Sequence, residues 1–399
     1  MNRSCAIRRF GLLLLLAALA SPAVPAKNEP LKKVTVEQLE RRLAALHGKR
    51  NAHAARELSA MELSERLSAD RRARLLAGLP DVEARQALTA LADLAEFLPL
   101  PATEIPAAAP PDPATQNSLL SLAAESVEKA IPRLPNFFAT RDTVLFAEDL
   151  ADSSRSPSSA SQSRPIHAVD SASATVLYRK GKEVAEPRGA ASGRPARLGQ
   201  ELTIEGVFGP VLELVVADVL KNGWTWSHWE QRAGGTLAVF SYSVPLRMSH
   251  YNVEIPGDQA GIYPLTAYHG EIAVDPANGN ILRLTMLADL SEFGPIARAD
   301  VLVEYAPIAI GGKSYLCPVR SVAVSLARPM DALRDLYGFR RDESEPMELE
   351  LSDVVFREYH LFRSEARIVT GARGDAGQPP APAAPDEPAA APPQAPAAH

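Results

Sequence analysis

The stretch HGEIAVDPANGNILRLTML, residues 269–287, decides how this chain is read. Two short runs rich in β-forming residues flank Asp275-Pro276-Ala277-Asn278-Gly279-Asn280. A cluster of Asp, Pro, Asn and Gly between such runs breaks regular structure and reverses the chain, so the stretch reads as a β-hairpin. Working outward, the same pattern repeats. Upstream, TWSHWEQ (225–231) and LAVFSYSVP (237–245) flank Gly234-Gly235, and Phe240, Tyr242 and Val244 alternate with Val239, Ser241 and Ser243. Downstream, VLVEYAPIAI (301–310) and KSYLCPVRSVAVSL (313–326) flank Gly311-Gly312, and ELSDVVFREYHLFRSEARIV (350–369) reads as a last strand. FFATRDTVLF (137–146) reads as a first strand, and SATVLYRKGKEV (173–184) as a hairpin around Lys180-Gly181-Lys182. Sequential hairpins imply an antiparallel sheet whose open face a helix can cover.

FGPVLELVVADVLK (208–221) supplies that helix. Pro210 fits its first turn, and Leu212, Val215, Val216, Val219 and Leu220 recur at three or four, although so much valine also allows a strand. A second helix opens at Asp112-Pro113 and carries Leu119, Leu120, Leu122, Val127 and Ile131 to about Pro132. Residues 33–98 read as short helices. Thr35 with Gln38 forms a capping-box pair, Ser59 with Glu62 repeats it, and Gly78 closes a helix with Pro80 in the first turn of the next. Leu88, Leu91, Ala92, Ala95 and Leu98 make one apolar stripe, best explained by packing among these helices.

Between these segments the composition shifts. The chain holds 34 Pro in 399 residues, well above the usual ~5%, and much of the excess is local. Residues 99–111 (PLPATEIPAAAPP) read as an extended, semi-rigid linker. The tail at 371–399, with 8 Pro in its last 21 residues, lacks the apolar surface to offset chain entropy and reads as disordered. Residues 152–164 read as a serine-rich loop, 186–200 as a Gly/Pro-rich connection and 330–347 as a charged loop or short helix.

The N-terminus reads as an export signal. Arg3, Arg8 and Arg9 precede an apolar run from Phe10 to Ala20, too short to span a bilayer, and Val24-Pro25-Ala26 offers small residues for cleavage before Lys27. Cleavage would remove three positive charges from a chain of net charge −6, leaving −9, and would also remove Cys5. The remaining Cys317 cannot form an intramolecular disulfide, sits in an apolar strand pattern and reads as a small buried hydrophobe. The acidic balance argues against nucleic acid as a partner.

Six stretches stand out between about Leu134 and Val369: LPNFF (134–138), FGPVL (208–212), WSHWE (226–230), HGEIAVDPANGNILRL (269–284), VEYAPIAIGGKSYLCPVRSV (303–322) and VVFREYHLFRSEAR (354–367). On these the region resembles a group of bacterial secreted proteins whose sheet looks like the half-barrel of the outer-membrane lipoprotein carrier (LolA-like) family. The resemblance implies a curved antiparallel sheet with a helix across its mouth, holding acyl chains against an apolar concave face. It implies no catalytic residue. The helical region at 33–98 and the long tail depart from the pattern.

All three Trp lie in Gly223-Trp224-Thr225-Trp226-Ser227-His228-Trp229. On a regular strand Trp224, Trp226 and His228 share a face and Trp229 takes the other. They read as core packing or as an aromatic wall for a ligand. His269 and Glu271 share a strand face and could join His228, His250 or His360 around a metal, but no spacing fixes a third ligand, and a solvated polar face is the better reading. There is no GxSxG, and no SxxK set with its companion motifs. Gly311-Gly312-Lys313-Ser314 ends like a phosphate-binding loop, but Pro307 stands where that motif needs Gly, and the segment joins two strands. Glu365 and Arg367 read as a surface ion pair.

The resulting expectation is an α+β protein. A leader at 1–26, a helical region at 27–98 and a linker at 99–111 precede a curved antiparallel half-barrel domain at 112–370, with helices near 113–131 and 208–221 and a disordered tail at 371–399. It is expected to be a periplasmic or secreted binding module, non-enzymatic and without cofactor or metal, not membrane-spanning once the leader is cleaved. Its sheet would present Trp224, Trp226, Phe240, Tyr242 and Val244 to a lipid or apolar peptide. The alternative is a structural or protein-interaction component of the bacterial envelope with a filled core.

Overall fold

The computed structural model describes residues 31–46, 51–148, 165–187, 202, 206–253, 265–290, 296–327 and 347–362. The expected leader, the serine-rich loop, most of 186–200 and 330–347, the tail, and Glu365 with Arg367 lie outside these residues.

The N-terminal layer comprises β1 (Lys32–Val34), α1 (Val36–Leu46), α2 (Asn51–Ser59), β2 (Met61–Leu63), α3 (Ala69–Ala77) and α4 (Val82–Leu94). The capping box forms reciprocally: the Thr35 amide donates to Gln38 Oε1 and the Gln38 amide to Thr35 Oγ1, each at 3.2 Å. The second expected box does not form. Ser59 ends α2 by donating its hydroxyl back to the Ala55 carbonyl, and Met61-Glu62-Leu63 pairs in parallel with Lys32-Lys33-Val34. The reason is a period of two too short to register in a helical window: Met61 and Leu63 are buried and Glu62 is not. The fourth helix starts at Val82, two residues beyond Pro80, because Asp81 accepts from the Ala84 amide as its cap, leaving Pro80 outside. The apolar stripe of α4 packs with Leu39, Leu58 and Leu67 in one cluster.

Asp112 caps α5 (Pro113–Ala130), accepting from the Ala114 and Thr115 amides. The strands are β3 (Phe137–Glu148), β4 (Ile166–Arg179) and β5 (Lys182–Pro187). After α6 (Pro210–Asn222) come β6 (Trp224–Arg232), β7 (Gly235–Val244), β8 (Tyr268–Val274), β9 (Ile281–Ala288), β10 (Ile296–Ile310), β11 (Lys313–Ala327) and β12 (Glu348–Leu361). They form one open ten-stranded sheet in the order β5-β4-β3-β12-β11-β10-β9-β8-β7-β6, every pairing antiparallel. The β4–β5 and β10–β11 turns each place two residues in the left-handed region, Lys180 with Gly181 and Gly311 with Gly312, as two-residue hairpins require. Among the described residues no helix is long and apolar enough to cross a membrane.

β5 and β6 are consecutive strands at opposite edges of the sheet, and α6, which comes just before β6, lies over one face. Leu212, Val215, Val216 and Val219 are buried against the sheet, but Leu220 is 54% exposed. One residue beyond Val219 is a 100° step around the helix, off the stripe. With α5, α6 fills one face over Phe240, Ile272, Val303 and Phe356. The other face meets the N-terminal layer: Ala90, Leu94 and Phe97 pack on Phe146, Leu302, Val322, Val324 and Leu351. The expected linker is pinned between them, with Leu100 buried, the Pro99 carbonyl accepting from the Arg66 amide at 2.8 Å and the Ala109 carbonyl accepting from Trp229 Nε1 at 3.0 Å.

Candidate functional site

The five residues expected to line an apolar site lie together, but the face they form is filled. Phe240, Tyr242 and Val244 are 1%, 5% and 0% exposed, beneath α5 and α6 in the largest apolar cluster. Trp224 and Trp226 are half-buried at the β6 edge and pack edge-on against Phe240, at 6.3 and 5.5 Å between ring centroids. The expected alternation of the tryptophans breaks at a register shift between Trp226 and His228. The bulge turns Trp229 onto the face of Trp226, 4.8 Å away, and sends His228 to the other side. An inserted residue reverses the phase of every later side chain on a strand.

Two polar contacts fix this filled face. Tyr242 donates to the Thr285 carbonyl at 2.6 Å, reaching across β8 above Gly270, where a Cβ would sit 2.0 Å from that carbonyl oxygen. Burial holds the Tyr242 phenol well above its usual pKa, so it stays a donor. Asp218, fully buried on α6, accepts from the His250 amide at 3.1 Å, His250 Nδ1 at 2.5 Å and Tyr268 Oη at 2.9 Å. It latches α6 to both the 245–253 loop and β8. Cys317 lies in the same cluster as a free thiol, its pKa pushed up to about 12 by burial.

The opposite face holds what sequence reading missed. Glu271 was expected in solvent, but it accepts from Arg283 at 3.2 Å, and Arg283 is 2% exposed. Glu230 accepts from Arg283 at 3.0 Å and from Arg66, of the N-terminal layer, at 2.6 Å. Arg232 bridges Glu230 and Glu304. Arg320 meets Glu96 at 3.0 Å, Asp353 at 3.1 Å and Glu304 at 3.3 Å, and also Asp93, which Arg72 reaches from the helices. This layer docks the helical region onto the sheet. The flanking guanidiniums hold the Glu230 carboxyl well below its usual range despite burial. Burial pushes Asp93 up to about 7 against the pull of Arg320 and Arg72. The signal in the sequence was an arginine or acid at alternate positions of several neighbouring strands, with Asp93 set inside an apolar helical stripe.

His269, His250 and His228 each take a separate partner. His269 pairs with Asp289 at 2.8 Å, His250 with Asp218, and His228 Nδ1 with the Ser227 hydroxyl at 2.8 Å. Among the described residues no group of three or more His, Cys, Asp or Glu side chains is placed to hold a metal ion.

No known family profile matches the chain, and no curated protein matches it. Over 64% of its length it is similar to a solved LolA superfamily protein from Nitrosomonas europaea, covering 96% of that chain at 14% identity and a TM-score of 0.28. The fold of this chain rests on its own strand register.

Proposed function

We propose that this chain is a non-catalytic, exported component of the bacterial envelope that acts through its outer surfaces, with the apolar face of its sheet closed as core. The observation that carries this reading is the burial of Phe240, Tyr242 and Val244 beneath α5 and α6. Each of Leu212, Val215, Val216 and Val219 stabilises the closed helix by about 1.5–3 kcal/mol, and the Asp218 latch adds hydrogen bonds that a ligand entering beneath α6 would have to replace. Export rests on the leader pattern of Arg3, Arg8, Arg9 and the apolar run to Ala20. The non-enzymatic reading rests on the missing nucleophile and phosphate-loop motifs.

A second reading, a carrier that binds a lipid or apolar peptide beneath a mobile α6, has one observation in its favour. Gly209 (φ 157°) and Gly223 (φ 90°) bracket the helix, and such residues are suited to a hinge. Mass spectrometry of the purified protein separates the two. The closed-core reading expects no stoichiometric lipid and no displacement of a hydrophobic fluorescent probe by fatty acid. A bound lipid with a displaceable probe would establish the carrier instead.

A further inference from the structure

A cavity of about 570 Å³ lies between the C-terminal end of α5, the β8–β9 turn and the β10–β11 hairpin. That volume suits a small molecule or a headgroup. Its cations come from two walls: Lys129 and Arg133 from the α5 side, Lys313 from the hairpin. Lys129 pairs with Glu125; Arg133 and Lys313 have no partner among the described residues. Among the described residues no Asp or Glu lines the cavity. Asp275, the acid of the adjoining turn, is engaged within it, accepting from the Ala277 amide at 2.9 Å and Asn278 Nδ2 at 2.7 Å. A positive cavity in a chain of net charge −6 is a local feature that the overall charge does not supply.

The cavity is also built in place. Ser126 on α5 donates to Asn280 Oδ1 at 2.8 Å. Gly279 (φ 74°) lies so close to α5 that a Cβ would stand 2.5 Å from the Leu122 carbonyl oxygen. The turn singled out in the sequence is thereby clamped to the helix as one wall. Across from it, the two-glycine turn delivers Lys313 and Ser314, with Tyr315 and Leu316 giving a partly apolar floor.

We infer that this cavity binds a phosphate ester, with the phosphoryl group between Lys313 and Arg133 and the remainder over Tyr315 and Leu316. Cations converging from separate walls, with the Ser314 hydroxyl and the free amide nitrogen of Asn280 beside them, suit an anion with several acceptor oxygens better than a two-oxygen carboxylate. The inference is independent of whether the sheet face is closed.

Calorimetric titration of the purified protein with sn-glycerol 3-phosphate at low salt tests it. A parallel flotation assay uses vesicles of phosphatidylcholine with and without phosphatidylglycerol. Both are repeated with the Arg133→Gln/Lys313→Gln double variant, whose substituted side chains are exposed, so its circular dichroism melt should match the parent. The expected result is one-to-one binding that weakens roughly tenfold or more in the variant, as loss of two charge-assisted contacts implies, and that weakens with added salt. Binding in the soluble arm assigns a free phosphate ester. Flotation with the anionic vesicles alone assigns a lipid headgroup. Equal behaviour of parent and variant in both arms, no binding in either, or binding of poly-glutamate without either phosphate probe would overturn the inference.

Discussion

Arg320 touches four carboxylates, Asp93, Glu96, Glu304 and Asp353, from a nearly solvent-free position. Removing one partner from such a cluster strands the others without compensation, so Arg320→Met is expected to lower unfolding free energy by about 3–5 kcal/mol in urea titration. The network joins five guanidiniums, of Arg66, Arg72, Arg232, Arg283 and Arg320, to six carboxylates, of Asp93, Glu96, Glu230, Glu271, Glu304 and Asp353. One acid is in excess, and Asp93 is the one placed to keep a proton: it is fully buried and its Oδ2 has no hydrogen-bond partner among the described residues. Its raised pKa means the folded protein holds a proton between 3.8 and about 7 that the unfolded chain releases. Stability from this group is therefore complete below 3.8 and is lost as pH rises through about 7. Glu230 and Glu304 act oppositely: held low by Arg283 and Arg320 respectively, they contribute above 4.5 and are lost as pH falls further. The urea midpoint should then peak at roughly pH 5. Asp93→Asn should flatten the decline toward pH 8 and be the more stable protein there; an unchanged pH profile would contradict the assignment. The charges themselves were plain in the sequence. What was not legible was their cover, because an antiparallel strand with one polar face ordinarily turns that face to water, and no local pattern states that a distant helical layer lies on it.

Strands, hairpins and helix starts were largely legible, because turn residues and caps act over a few positions. The Asp275–Asn280 turn, the Lys180-Gly181 turn and the Asp112 cap form as read. Failures came where one residue changes the phase. The bulge between Trp226 and His228 moved Trp229 to the apolar side, and Met61–Leu63 was too short for its alternation to stand out. The burial of Asp218 was also hidden, since an acid beside a valine stripe reads as solvent-facing until the loop at 245–253 closes on it. Asp218 now appears as the element that holds α6 in place. Asp218→Ala leaves the buried Tyr268 hydroxyl without its acceptor and should cost about 1–3 kcal/mol in chemical denaturation. Hydrogen exchange should quicken in α6 and the 245–253 loop while β11 and β12 stay protected. Uniform loss of protection would mean that Asp218 supports the whole fold rather than the latch.

At the scale of the whole molecule, three layers follow from strand order and charge. With β5 and β6 at opposite edges, α5 and α6 cover one face, and the N-terminal helices cover the other through an apolar end and an ionic end. The antiparallel architecture could be read from sequential hairpins, but whether its apolar face stands open or closed depends on how deeply α5 and α6 seat, which no periodicity encodes. Cys317 reports on that face directly: it is fully buried within it. In a Cys5→Ser chain it is the single thiol, so its modification by dithiobis-nitrobenzoate under native conditions measures how often the face opens. With the face closed as core, modification should be slower than in the urea-unfolded chain by a factor on the order of 10³ or more, and added fatty acid should leave the rate unchanged. Labelling within seconds in native buffer, or a rate that fatty acid suppresses, would show a face that opens to take a ligand and would contradict the closed core.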